Sequence, residues 1–178
     1  MKARILVIED VREMADLIGL YLGGEGMEVV SCPTGEEGLE RFRSSRFDLV
    51  VLDINLPGMD GFEFLQRLRR ESAVPVVIVS ARDADEDMVL GLGIGADEFV
   101  TKPFSPKVLV ARIRALLRRA TELRSGNAVR FGEFVLEPDA YLLRKAGAKV
   151  PLSNREFEVL AYLAAHPDRA LSPATIYA

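Results

Sequence analysis

Five polar side chains fall where reactive groups can gather. Glu9 and Asp10 directly follow the apolar run Ile5 to Ile8, and Asp53 follows Phe47 to Leu52. Ser80 follows Pro75 to Val79, and Lys102 follows Glu98 to Thr101. Three carboxylates held together raise one another's pKa unless a cation sits among them, and an oxygen-rich site of this kind suits Mg²⁺. An ammonium and a hydroxyl on the same rim call for an anion as well. Carboxylate nucleophile, divalent metal, lysine and hydroxyl are together the parts needed to move a phosphoryl group onto an aspartate. Any one of these residues alone reads equally well as a cap, a turn former or a solvated loop residue. All of them at the ends of four different apolar runs point to a site.

The elements that must position them alternate. Before residue 120 the apolar, β-branched runs Ile5 to Ile8, Glu28 to Cys32, Phe47 to Leu52, Pro75 to Val79 and Glu98 to Thr101 are separated by helical patterns. That alternation predicts repeated βαβ units and a parallel sheet, whose ligands bind beyond the carboxyl ends of the strands. Met14, Leu17, Ile18, Tyr21 and Leu22 form one amphipathic face ended by Gly23 and Gly24. Thr34 caps a second helix through Phe42, Phe62, Leu65 and Leu68 mark a third, and Ser105 to Arg119 gives a fifth. The fourth, Asp85 to Ala96, carries Gly91, Gly93 and Gly95. Each glycine costs a helix interior about 1 kcal/mol, so this segment reads as the softest of the domain, through either close packing or a need to move. No glycine-rich nucleotide fingerprint follows the first run, which counts against a dinucleotide-binding dehydrogenase or a P-loop enzyme.

Composition agrees with a folded two-domain chain. The 178 residues are 49% hydrophobic and 28% charged, with a net charge of −4. Residues 1–120 hold 16 Lys+Arg against 20 Asp+Glu, and residues 121–178 hold 7 of each, so neither part carries the basic excess of a complete nucleic-acid surface. The lone Cys32 and lone His166 offer neither a disulfide nor a zinc cluster. No apolar run is long enough for a signal or membrane segment, and the expected location is cytoplasmic. Apolar content drops across 121–127, read as a linker between a domain at 1–120 and a smaller unit at 128–178. In that unit Phe131 to Leu136 and Tyr141 to Arg144 read as strands, and Ser153-Asn154-Arg155-Glu156 as a capping box. A helix then runs to His166-Pro167, and Ser172-Pro173 begins another.

The motifs Val7-Ile8-Glu9-Asp10, Val50-Val51-Leu52-Asp53 through Pro57-Gly58 to Gly61, Val79-Ser80-Ala81-Arg82 and Gly95-Ala96-Asp97-Glu98-Phe99 through Thr101-Lys102-Pro103-Phe104 resemble bacterial two-component response regulators over residues 2–120. The resemblance implies a flavodoxin-like (βα)5 receiver with a five-stranded parallel sheet of order 2-1-3-4-5. It implies that Asp53 accepts phosphate from a sensor histidine kinase, with Mg²⁺ held by Asp10, Asp53, the Asn55 carbonyl and, through water, Glu9. Ser80, Lys102 and the Ala81 amide are implied to hold the phosphoryl oxygens. Ser80 and Phe99 are implied as the switch pair, and the Lys102-Pro103 bond is implied to be cis.

Residues 128–172 resemble the opening of an OmpR/PhoB-type winged-helix effector, through Phe131-Gly132-Glu133-Phe134, Leu136-Glu137-Pro138, Leu152-Ser153, Glu156-Phe157 and His166-Pro167. That subfamily forms a homodimer when phosphorylated, implying a face of Met88, Asp97, Glu98, Val108, Arg112, Arg118 and Arg119. Met88 and Val108 depart from the family by standing where a basic/acidic pair is usual. The recognition helix and wing are expected beyond Ala178, so promoter DNA is an expected partner only of a full-length form. The half domain, lacking their support, is expected to expose apolar surface. Two rivals remain: a regulator acting through protein partners without DNA, and a metal-dependent phosphatase. The phosphatase is disfavoured because Asn55 stands where a general-acid carboxylate is needed.

Overall fold

The computed structural model describes residues 2–82, 84–124 and 128–165, without the side chains of 121–124 and 165. Its first part runs β1 (Arg4–Ile8), α1 (Arg12–Gly24), β2 (Glu28–Cys32), α2 (Gly35–Ser44), β3 (Leu49–Leu52), α3 (Gly61–Arg69), β4 (Val76–Ser80), α4 (Asp85–Ile94), β5 (Glu98–Thr101) and α5 (Pro106–Arg124). The strands form one parallel sheet in the order β2-β1-β3-β4-β5. The central strands β3 and β4 are buried at every position, as expected where helices cover both faces of a sheet. Alternate residues of β1, β3 and β4 divide between two cores. Leu6, Ile8, Leu52 and Ile78 pack with Phe64, Leu65 and Leu68 of α3. Ile5, Val7, Val51 and Val79 pack with Ile18 and Leu22 of α1 and Leu109 and Ile113 of α5.

Local chemistry sets the helix boundaries. Thr34 Oγ1 accepts the Glu37 amide at 3.2 Å to start α2, and Asp60 Oδ1 accepts the Glu63 amide at 2.8 Å to start α3. Helix α1 takes in both Gly23 and Gly24 before stopping at Glu25, and the left-handed position falls on Gly26 (φ 81°). The glycines of α4 divide by role. A Cβ on Gly91 would lie 2.7 Å from Ile78 Cδ1 and 3.3 Å from Phe99 Cδ2, so its absence is what lets α4 seat on the sheet. Gly95 supplies the left-handed cap (φ 113°). Gly93 has open space around it.

One glycine ties the fold to the site. A Cβ on Gly61 would stand 2.3 Å from the Asp53 carbonyl oxygen and 2.7 Å from Ile54 Cα. Backbone atoms cannot yield as a side-chain tip can, so Gly61→Ala must push α3 away from the loop after β3. An overpacking cost of about 1–3 kcal/mol is expected, read as a lowered midpoint in urea with an unchanged slope.

Helix α5 continues through Arg124, so helix occupies the first residues assigned above to a linker. The second part holds β6 (Val129–Phe131), β7 (Phe134–Glu137), a 3-10 turn over Pro138–Ala140, β8 (Leu142–Lys145), β9 (Ala148–Val150) and α6 (Asn154–Ala165). Its sheet is antiparallel in the order β6-β7-β8-β9. The segment Phe131 to Leu136, expected as one strand, is instead a hairpin corner. Phe131 pairs with Phe134 across Gly132 at φ 58°, a backbone geometry that glycine adopts without steric cost. The capping box forms as expected: Glu156 Oε2 accepts the Ser153 amide at 2.8 Å, and Ser153 Oγ accepts the Glu156 amide at 3.3 Å. His166 and the Ser172-Pro173 start lie outside the described residues.

The sheet and helix do not stand apart with their apolar surface exposed, contrary to expectation. Leu136, Tyr141, Leu143, Phe157 and Ala161 are buried in one cluster with Leu68, Ala73, Val74, Val76 and Ala120 of the first part. The Ala73 amide donates to the Tyr141 carbonyl at 3.0 Å. The receiving surface lies at the amino ends of the strands, opposite the rim that carries Glu9 and Asp53. Among the described residues, no helix is long and apolar enough to cross a membrane.

Candidate functional site

The four strand ends bring the predicted residues together. Lys102 Nζ lies 2.6 Å from Asp53 Oδ2 and 2.7 Å from Glu9 Oε2, tying the ends of β5, β3 and β1. Asp53 Oδ1 accepts the Asn55 amide at 3.0 Å, which orients the carboxylate from within its own loop. Glu9 accepts the Val11 amide at 3.3 Å. Glu9 and Asp53 are buried, Asp10 is exposed at the mouth, and ligand oxygens of all three lie within 4.8 Å of one another. Ser80 is fully buried at the end of β4, where its hydroxyl accepts the Arg82 amide at 3.2 Å. Ala81 follows it, exposed on the rim. The Lys102-Pro103 bond is cis, as expected.

The electrostatics follow from crowding. Burial pushes the Glu9 carboxyl above its ordinary value; the Lys102 hydrogen bond opposes this, and the nearby Asp53 charge adds to it. Burial alone would weaken the Lys102 ammonium, but its bonds to Asp53 and Glu9 outweigh that and raise its pKa. One ammonium against three carboxylates leaves the pocket short of positive charge. The donor set is all hard oxygen, with Asp10 open to solvent, which fits Mg²⁺ entering from the rim.

The structure gives a role to two further residues, Arg82 at the end of the Ser80 motif and Glu36 of α2. Arg82 Nε donates to Asn55 Oδ1 at 2.8 Å while its guanidinium lies over the Phe62 ring at 5.8 Å, bridging the β3 and β4 loops. Glu36 Oε1 accepts the Met59 amide at 3.0 Å and holds that loop from α2. Glu36 carries no local signal, and the motif that contains Arg82 does not reveal its partner, because each acts on groups more than twenty positions away.

Phe99 is buried, in contact range of Gly91. Of the residues assigned to the α4-β5-α5 face, Val108 is 50% exposed, Met88 is half-buried, and Arg118 and Arg119 are exposed. Glu98 and Arg112 pair with each other across that face. Val89, Leu90 and Leu92 of α4 are also exposed, giving the face more apolar area than Met88 and Val108 alone supply. Asp97 departs from the group. It is buried, 3.6 Å from the Arg69 guanidinium, and turned toward the second part of the chain.

A five-stranded receiver with an acidic pocket at its strand ends, followed by the sheet and first helix of a winged-helix unit, defines the class as a response regulator. The receiver-domain model of response regulators matches residues 5–114. The chain is 35% identical over 177 residues to the uncharacterized transcriptional regulatory protein YcbL of Bacillus subtilis, covering 97% of this chain and 78% of that one. It is 41% identical over 168 residues to the transcriptional regulatory protein AfsQ1 of Streptomyces coelicolor, covering 94% and 74%. Among solved structures, a RitR mutant matches with a TM-score of 0.81 at 25% identity, over 98% of this chain and 78% of that one, so the likeness spans both parts. The chain belongs to the response regulator family and is a two-component response regulator of OmpR/PhoB type whose relatives are transcriptional regulators.

Proposed function

We propose that Asp53 is the phosphoacceptor for a sensor histidine kinase and that the acylphosphate switches a homodimerising transcription regulator. The observation that carries this is the Lys102 ammonium held between Asp53 and Glu9, with Asp10 open at the mouth. A carboxylate oxygen of Asp53 attacks phosphorus in line, the P–N bond of the donor breaks, and its electron pair returns to the imidazole. Lys102, the Ser80 hydroxyl and the Ala81 amide hold the equatorial oxygens, where charge is greatest. Asp10, Asp53 and the Asn55 carbonyl would hold Mg²⁺, with Glu9 acting through water, and the ion offsets charge on the transferring group. The arriving group adds about −1.5 to −2 charge. Ser80 then leaves the Arg82 amide for the phosphoryl oxygen, and Phe99 follows into the space behind it. The exposed α4-β5-α5 face, with Val89, Leu92 and Val108 at its apolar centre, pairs two copies. Apolar contact at Met88 and Val108 makes this pairing less sensitive to salt than an ion pair would be. Promoter DNA is the partner of the dimer in a full-length form.

The test is the intact mass of the chain after incubation with acetyl phosphate. A one-phosphoryl gain that needs Mg²⁺ and disappears with a chelator is expected; no gain in either condition overturns the reading. Sedimentation before and after the gain then tests the homodimer. Val108→Glu is expected to hold the phosphorylated chain monomeric with its phosphoryl gain intact.

A further inference from the structure

The loop from β3 to α3 carries Asp53 and Asn55, and its own backbone bonds are short in range. The Asn55 amide donates to Asp53 Oδ1 at 3.0 Å, and the Leu56 and Gly61 amides donate to the Ile54 carbonyl at 2.9 and 3.0 Å. Ile54, Leu56 and Met59 are buried, and Asn55, Pro57 and Gly58 lie exposed between them. Gly58 takes φ 76°, in the left-handed region, and has no side chain to hold it there. The Glu36 carboxylate, reaching across from α2, lies against it instead. Its Oε1 accepts the Met59 amide at 3.0 Å and stands 3.0 Å from where a Cβ on Gly58 would be, with Oε2 at 3.5 Å. The start of α2 comes this close because Gly35 lacks a Cβ, which would meet the Met59 carbonyl oxygen at 3.1 Å.

We propose that Glu36 is a positioning residue for the divalent metal, which fixes the Gly58-Met59 peptide and thereby the loop shape on which a metal contact by the Asn55 carbonyl depends. A backbone carbonyl is aimed by the peptide planes around it and has no side-chain torsion with which to correct a misplacement. Mg²⁺ is exacting in turn, demanding near-octahedral oxygens at about 2.0–2.1 Å. The Asn55 peptide is tethered at its near end by Asp53 Oδ1, and Glu36 supplies the far tether at Met59. Without that tether Gly58, with the widest choice of backbone angles, is free to leave its left-handed setting. Metal binding must then order the loop itself, which lowers the affinity. The contact uses an acceptor oxygen and not the negative charge, because a backbone amide requires only an acceptor.

This rests on the reading of the acidic pocket as a Mg²⁺ site serving Asp53, and the experiment separates the two. Mg²⁺ is titrated by calorimetry into the unphosphorylated 178-residue chain, and hydrogen exchange over residues 54–60 is followed without metal. Glu36→Ala is expected to weaken Mg²⁺ binding about three- to tenfold and to speed exchange in that loop, while the β1 and β4 core keeps its native protection. In acetyl phosphate, the Mg²⁺ concentration that gives half the maximal rate of phosphoryl gain should rise by the same factor, with the rate at saturating Mg²⁺ unchanged. Glu36→Gln keeps an oxygen to accept the Met59 amide, and Glu37→Ala removes a neighbouring charge from the same helix turn. Both are expected to bind Mg²⁺ as the native chain does. No Mg²⁺ binding by the native chain overturns the metal site and the proposal with it. Native binding that Glu36→Ala leaves unaltered, or an equal loss in Glu36→Gln or Glu37→Ala, overturns the positioning role alone.

Discussion

Asp53→Asn is expected to leave the chain at its starting mass in acetyl phosphate and Mg²⁺, under conditions in which the native protein gains one phosphoryl group. The neutral amide is too weak a nucleophile to form the acyl-phosphate bond. The asparagine nevertheless keeps the shape of the site, with one oxygen left to accept either the Asn55 amide or the Lys102 ammonium, which meet different carboxylate oxygens in the native chain. Loss of the gain is therefore a loss of chemistry, and stability provides the control. Asp53 is one of the charges that push the Glu9 carboxyl upward, after burial itself, so removing it relieves repulsion in the pocket. The variant should melt no lower than the native chain. A retained phosphoryl gain would move the acceptor elsewhere, and a sharp drop in melting temperature would give Asp53 a structural role that the geometry does not predict.

The second large effect belongs to Arg69, far from the chemistry. Its guanidinium is buried, with bonds to the carbonyls of Gly95, Val74 and Ser72 and a 3.6 Å approach to Asp97. Burial lowers its pKa to about 10, against the supporting charge of Asp97, and it stays cationic at neutral pH. Arg69→Met removes the cation and leaves the Asp97 carboxylate buried without compensation. Breaking one side of a buried pair costs about 3–5 kcal/mol, read as a shift in the urea midpoint. The deficit should depend on pH in a defined sense. Burial already raises the Asp97 carboxyl above its ordinary value, with Arg69 the largest opposing influence. Without Arg69 it rises further, and the folded state takes up a proton that the unfolded state releases. Stability of the variant is then retained in mild acid and falls as pH rises through the elevated Asp97 pKa. The double variant Arg69→Met with Asp97→Asn should lose less than the sum of the two singles, because the uncompensated charge is gone. A cost below about 1 kcal/mol at neutral pH would mean that solvent reaches Asp97.

The same corner explains why the effector part is packed where isolation was expected. The sequence reading treated the sheet and α6 as half a domain with no partner surface. In the structure Phe157 and Tyr141 lie 5.8 Å apart by ring centroids and fill the space over Ala73 and Val74. The apolar stripe of α6 was legible from its helical spacing, but spacing is silent about which surface receives it. The groove beside this contact, about 790 Å³ and lined by Phe42, Arg46, Ser72, Asp139 and Tyr141, is the open margin of that packing.

The amino-acid order by itself determined the alternation of strands and helices, the caps at Thr34 and Ser153, and the placement of Glu9, Asp10, Asp53, Ser80 and Lys102 at strand ends. These are short-range properties: a period of two or of 3.6 residues shows which side of an element is apolar, and a polar residue at the end of an apolar run is visible within a few positions. Boundaries that hinge on one backbone angle, such as the Gly132 corner, were less legible because several neighbouring residues could have taken the turn. Only the tertiary structure decided that Asp97 faces inward, that Arg69 is buried while its neighbours Arg67 and Arg70 are not, and that Asn154 closes onto them. Positions 69, 97 and 154 share no local pattern. A charged residue reads identically in sequence whether it meets water or a buried partner, because the free energy that separates those fates comes from long-range packing around it.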